Sequence, residues 1–327
     1  MSTQPDVTPE AAPAQDARNA TFEQTQLTAA DGHRIPVYLW KPPGAPRGLI
    51  HICHGMAEHG QRYARLARYL NEHHLLVVAH DHRGHGQQTP VDELGHYADE
   101  DGWDKVTADV GIVQGWIHQS WPTLPCYLMG HSMGSFIAQG YLTRNPEPPL
   151  LAGLILSGSN RDKRVQLAAL RTILRIVRLF KGPHATSPTV HKLTFGAFAR
   201  SVETPRTRFD WLSHDEGAVY DYIADPYCGF DCTNQLWSDL AYGLTALLRR
   251  DTLQRVPADL PILIISGAED PVGEFGQGPR RLAQAYRDTG HSDVTCIVFQ
   301  GMRHEPFNEK QRAEAEETLI AWLTRHR

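Results

Sequence analysis

The chain has 327 residues, of which 41% are hydrophobic and 21% charged, with a formal net charge of −5. That is enough length for a full core, and an acidic balance gives no general affinity for nucleic acid. No apolar run approaches the ~20 residues needed to cross a bilayer.

Met1 to Ala20 is rich in Ala, Pro, Gln and Asp and lacks a basic region followed by an apolar core. It reads as a disordered tail rather than a secretory signal. Phe22–Leu27 and Ile35–Trp40 form a predicted hairpin around the Asp31-Gly32 turn signal. Strands and helices then alternate: strand Leu49–Cys53, helix Tyr63–Glu72, strand Leu75–Ala79, helix Asp104–His118, strand Cys126–Met129, helix Met133–Arg144 and strand Leu151–Leu156. Alternation stops at Leu156 and resumes at Ile262, with a helix over Pro279–Thr289, a strand over Thr295–Phe299 and a closing helix over Lys310–Thr324. This order predicts an α/β fold: an eight-stranded, mostly parallel sheet flanked by helices. Residues 21–159 and 258–327 make the core, and 160–257 form a helical cap inserted after strand 6. Ligands bind beyond the carboxyl ends of parallel strands, so this insertion roofs that end.

The most specific motif is Gly130-His131-Ser132-Met133-Gly134, directly after the apolar run Cys126–Met129. A serine on a tight strand-to-helix turn is held in a strained conformation, and glycines two residues away on either side remove the side chains that would clash. A hydroxyl at its ordinary pKa needs a base, and the base an orienting acid. Two later strand ends supply them in the required order. Pro261–Ser266 runs into Gly267-Ala268-Glu269-Asp270, and Thr295–Phe299 runs into Gln300-Gly301-Met302-Arg303-His304. Asp270 is assigned as the acid, with Glu269 as its competitor, and His304 as the base. Developing negative charge on the attacked carbonyl oxygen calls for two backbone donors. These are the N–H of Met133, after the nucleophile, and that of Met56, where Gly55 allows the chain to turn after strand Gly48–Cys53.

Together His54-Gly55-Met56-Ala57-Glu58-His59, Asp81-His82-Arg83-Gly84-His85-Gly86, Gly130–Gly134, Asp270 and His304-Glu305 resemble the monoacylglycerol lipase and lysophospholipase branch of the α/β-hydrolase superfamily. The resemblance spans the chain from about Thr21 and is weakest in the insertion. It implies a carboxylic ester hydrolase acting on monoacyl lipids or small esters without a cofactor. It also implies that Asp81–Gly86 orders nearby loops and does no chemistry. Where the family often continues with a small residue and serine, this chain has Gln87-Gln88-Thr89.

In the insertion, Arg161 to Lys181 carries seven cations against the single anion Asp162. Arg164, Arg171, Arg175 and Arg178 share one side and Leu167, Leu170, Leu174 and Val177 another, so the helix is amphipathic. The preferred reading is a helix buried on one face with a solvated basic surface; peripheral contact with an anionic membrane is the alternative. Of Trp211, Tyr227, Phe230 and Trp237, one or two are expected to line an acyl pocket beneath the cap. His214 with Asp215 reads as a structural pair. Histidines crowd from His51 to His85 without zinc-ligand spacing, so no metal is expected.

Five cysteines, three of them in predicted strands, fit a reducing compartment and hence the cytoplasm. The Cys228–Cys232 pair reads as packing. The same constellation serves amide or peptide hydrolysis, thioester hydrolysis and acyl transfer, and a non-catalytic binding protein of the same shape is a remote alternative.

Overall fold

Runs of β-branched residues separated by amphipathic stretches produce, in the computed structural model, a sheet covered on both faces. The structure describes residues 22–144, 151–161 and 163–326; the expected N-terminal tail lies outside them. The strands are β1 (Glu23–Thr28), β2 (Arg34–Trp40), β3 (Gly48–Cys53), β4 (Leu75–His80), β5 (Cys126–His131), β6 (Gly153–Ser157), β7 (Ile262–Gly267) and β8 (Val294–Phe299). They lie in the order β1-β2-β4-β3-β5-β6-β7-β8. Only the β1–β2 and β2–β4 pairings are antiparallel. The predicted eight-stranded, mostly parallel sheet is therefore what the chain forms.

Helices α1 (Ala64–Glu72) and α11 (Arg312–Arg325) cover one face, and α2 (Gly102–Ser120), α3 (Met133–Arg144) and α10 (Gln277–Asp288) the other. Along β3 the alternation is plain. Ile50 and Ile52 pack with Leu66 and Leu70 of α1 and Trp322 of α11, whereas Leu49 and Cys53 face the opposite layer. All six β3 residues are buried, as two-sided coverage demands.

Among the described residues six helices separate β6 from β7: α4 (Arg164–Lys181), α5 (Pro188–Leu193), α6 (Phe195–Arg200), α7 (Glu216–Ala224), α8 (Asn234–Leu247) and α9 (Arg250–Leu253). Helix α4 starts at Arg164, not Arg161. The Arg161 guanidinium instead donates to the Leu247 and Leu248 carbonyls at the end of α8 (3.0 and 2.8 Å), drawing that residue out of the helix. Elsewhere the helix ends shift by at most two residues, and α3 matches its predicted span. The predicted start of α1 is a 3₁₀ turn over Gly60–Tyr63. All five cysteines are free thiols, so Cys228 and Cys232 are not joined. No described helix is long and apolar enough to cross a membrane.

Helix α8 joins insertion to core through Leu236, Leu240 and Leu247 and around one ring. Trp103 of α2 is 2% exposed and slots between Gly140 of α3 and Gly243 of α8. A Cβ on Gly243 would lie 2.1 Å from Trp103 Cε2. Alanine at position 243 gains about 1 kcal/mol of helix propensity, but overpacking a filled slot costs ~1–3 kcal/mol or more. Gly243→Ala is expected to lower the urea-unfolding free energy. Unchanged or increased stability would show that the indole has room to retreat.

Candidate active site

The carboxyl end of β5 sits between those of β3 and β6, with Gly130 paired to Cys53 on one side and to Leu156 on the other. Ser132 follows with φ +50°, a left-handed conformation rare for a residue with a side chain. Two hydrogen bonds hold it there: Ser132 N–H donates to Ser157 O, and Ser135 N–H to Ser132 O, both at 2.9 Å. The flanking glycines are needed for a concrete reason. A Cβ on Gly130 would lie 2.4 Å from Gly134 O, and one on Gly134 would lie 2.1 Å from Cys53 O. The first residue of α3 is Met133, where backbone N–H groups have no partner within the helix.

His304 and Asp270 come from the loops after β8 and β7. Both are buried, and His304 Nδ1–H donates to Asp270 Oδ1 at 3.0 Å. Asp270 is itself fixed, since Oδ1 accepts from Val272 N–H (2.9 Å) and Oδ2 from the Ser266 hydroxyl (3.1 Å). The alternative acid is occupied elsewhere: Glu269 meets His214 Nε2 at 3.0 Å. Gly158, at φ +58°, leaves room above the end of β6, where an added Cβ would touch Cε1 of both His304 (3.0 Å) and His131 (2.9 Å). The imidazole of His304 thus lies over the strand ends beside the residue that precedes Ser132, and Trp211 packs on it with ring centroids 5.1 Å apart.

Two buried imidazoles here differ in charge preference. Burial pushes His131 down to about 4, with help from nearby His304, and keeps it neutral. Burial also opposes charge on His304, but the Asp270 carboxylate and its hydrogen bond, with Glu305 and Glu58 beyond, raise it above the ordinary histidine value.

The loop carrying Met56 lies against the serine: a Cβ on Gly55 would be 3.4 Å from Ser132 Cβ. Glu58 shapes this loop by accepting from Gly55 N–H, Arg62 and the Tyr63 hydroxyl. Arg62 also donates twice to Glu305, at 3.0 Å each, so one guanidinium joins the Met56 loop to the residue after His304. Burial alone would raise the Glu305 carboxyl; Arg62 holds it down at about 2. From the insertion, Tyr222 OH (2.8 Å) and Gly229 N–H (2.9 Å) donate to Ala57 O, and His59 Nε2 meets Asp225 at 2.9 Å. Glu58, Arg62, Glu305, Tyr222 and Asp225 tie these loops together, and the sequence reading gives none of them a role. Glu58 and Glu305 lie in the quoted motifs, and the i,i+4 spacing of Glu58 and Arg62 signals that pair.

The Asp81–Gly86 segment braces the same loop. Asp81 accepts from Gly60 N–H and Tyr38 OH (2.7 and 2.6 Å), and His82 N–H donates to His54 Nε2 at 2.9 Å. Of the expected pocket residues, Trp211 touches His304, while Phe230 and Trp237 are half-buried against the core that contains Met133. Tyr227 is half-buried in a turn, its N–H donating to Asp225. The His214–Asp215 pair does not form. His214 bridges Glu309 and Glu269 (3.0 Å each), because Asp215 is turned to cap α7 through Ala218 N–H.

Residues 44–311 match the hydrolase family described as serine aminopeptidase, S33. The chain belongs to that family. Human monoglyceride lipase is 38% identical over 304 residues, covering 91% of this chain and 86% of its own. Monoacylglycerol lipase of Mycolicibacterium smegmatis is 27% identical over 312 residues, covering 94% and 99%. A thermostable carboxyl esterase from Bacillus coagulans, solved in complex with glycerol, superposes with a TM-score of 0.83 at 29% identity, covering 93% of this chain and 98% of its own. The chain is a carboxylic ester hydrolase of the α/β-hydrolase fold, in the monoacylglycerol lipase-like branch that its motifs resemble.

If His304 acts as base, kcat/KM should rise with pH through an acid limb set by that raised imidazole. Asp270→Asn removes the interactions that raise it while leaving the burial that opposes charge. The limb should then move to lower pH, and kcat should fall by roughly 10³–10⁴ as the imidazole tautomer is lost. A pH–rate profile reads both; an unmoved limb would remove Asp270 from the assignment.

Proposed function

We propose that this chain hydrolyses monoacylglycerols through an acyl-enzyme on Ser132. The observation that carries the reading is the buried Asp270–His304 pair set over the strand ends beside a left-handed serine. His304 takes the Ser132 proton as the hydroxyl oxygen bonds to the ester carbonyl carbon. The Met56 and Met133 N–H groups hold the resulting oxyanion. His304 then gives that proton to the departing glycerol oxygen, and the C–O bond breaks. Water repeats the sequence in reverse, releasing fatty acid and regenerating the serine. Residues 160–257 act as the cap, with Trp211, Phe230 and Trp237 lining the acyl side and Tyr227 at its edge. The monoacylglycerol lipases among its relatives support the substrate class.

The family description also raises peptide hydrolysis. An aminopeptidase needs a free carboxylate to hold the substrate ammonium. Among the described residues the acids flanking the site are committed: Glu58 and Glu305 to Arg62, Asp225 to His59, Asp270 to His304. That favours the ester. Ser132→Ala should abolish release of fatty acid from monoacylglycerol, while wild type leaves amino-acid arylamides uncleaved. Faster arylamide than ester turnover would reverse the assignment.

Helix α4 bears on where the substrate comes from. Its Leu167 and Leu174 are buried against α8, with Arg164, Arg171, Arg175 and Arg178 on one flank. Beside the solvated Arg164 and Arg175 its outward face also carries an apolar stripe. Val165, Ile176, Leu179 and Phe180 fall on one side at 82%, 53%, 80% and 81% exposure. An exposed apolar stripe bordered by cations fits peripheral docking on an anionic membrane from the cytoplasmic side, and five free thiols suit that compartment. A Leu179→Ser/Phe180→Ser double variant should bind phosphatidylserine vesicles at least tenfold more weakly, with hydrolysis of a short soluble ester unchanged. Equal vesicle binding would remove the membrane.

A further inference from the structure

Away from Ser132, a cleft of about 590 Å³ is closed on one side by the core loop that includes His96 and Asp99, and on the other by His184, in the segment after α4. His96 Nε2 lies 3.1 Å and His184 Nε2 2.9 Å from the same oxygen, Asp99 Oδ1. The two imidazoles stack, with centroids 4.4 Å apart.

The proton positions around His96 follow from its neighbours. His96 Nδ1 faces Thr233 Oγ1 at 3.2 Å. The single hydroxyl proton of Thr233 is given to Gly95 O at 2.9 Å, so Oγ1 accepts at the other contact and His96 Nδ1 carries the hydrogen. In a neutral ring, Nε2 is then a bare lone pair pointed at a carboxylate oxygen. Two acceptors at 3.1 Å repel unless a second ring proton or a bound metal cation sits at that contact.

Around a zinc-class ion with bonds of ~2.0–2.2 Å, neighbouring ligand atoms sit ~3.0–3.5 Å apart, close to the separations here. Two imidazole nitrogens and a carboxylate oxygen are the donor set such ions take. The Thr233 hydroxyl orients His96 from outside, as partners of ligating histidines do.

The frame is built as well. Asn234 N–H and Gln235 N–H donate to the Ala185 and Pro183 carbonyls on either side of His184 (2.9 and 3.0 Å). Thr233 N–H donates to Gly95 O at 2.9 Å, which brings the core loop to the same helix end. Both halves of the cluster are thus tied to the start of α8.

We propose that His96, Asp99 and His184 bind a divalent transition-metal ion of the zinc class, which fastens the segment after α4 to the core. Water completes the coordination on the open side. The ion is a clasp and takes no part at Ser132. His96 and Asp99 are three residues apart, but His184 lies far along the chain, so no local spacing announces the site.

The test is calorimetric titration of chelator-stripped, full-length protein with zinc chloride, alongside thermal melts. Wild type should bind one equivalent and melt at a higher temperature with zinc. His184→Ala and Asp99→Asn, both at exposed positions, should each bind at least tenfold more weakly and lose the thermal shift. Absence of a wild-type isotherm, or equal affinity in His184→Ala, would overturn the proposal.

Discussion

The turn at Ser132 depends on how closely three strands approach one another. With Gly134 seated on the carbonyls that end β3, the first turn of α3 is pressed against the strand that leads to Met56. A non-glycine residue in left-handed geometry costs about 1–3 kcal/mol. The packed strand ends and the bond to Ser157 O keep it there. The same approach places Gly55 against the serine and His304 above β6, so backbone contact brings the Met56 loop and the imidazole to the serine turn. Side-chain choice then refines it.

Charge is distributed around this frame with economy. A buried cation is stable only beside anions, and a buried anion only beside donors. Arg62 meets two carboxylates, Glu58 and Glu305, one on each of the loops that flank the serine. Around them burial lowers His54, His82 and His131. His304, with the Asp270 carboxylate on its Nδ1, shifts the other way. It is thereby more ready to accept a proton than those three neighbours.

The fold was legible because buried parallel strands leave continuous β-branched runs, and the triad candidates because each follows such a run. Asp270 and Glu269 carry the same local signal. The residues are adjacent, and the difference lies in His214, which engages Glu269 from a distant part of the sequence. The Arg62–Glu305 link spans 243 positions and leaves no local pattern. Helix α4 shows a different limit. Its sequence holds two apolar stripes of similar spacing, one led by Leu167 and Leu174 and one by Ile176 and Leu179. The Leu167 stripe, the one read from the sequence, meets the core; the second stripe, which that reading leaves unnamed, stays exposed. Packing against α8 decides that.

The Ala57 carbonyl accepts from both Tyr222 and Gly229, so α7 and the turn after it are bolted to the loop that presents Met56. Lifting this corner to admit a substrate would slacken the backbone that the proposed mechanism uses to receive the oxyanion. An entry route that leaves both bonds intact keeps that donor loop in place while substrate passes.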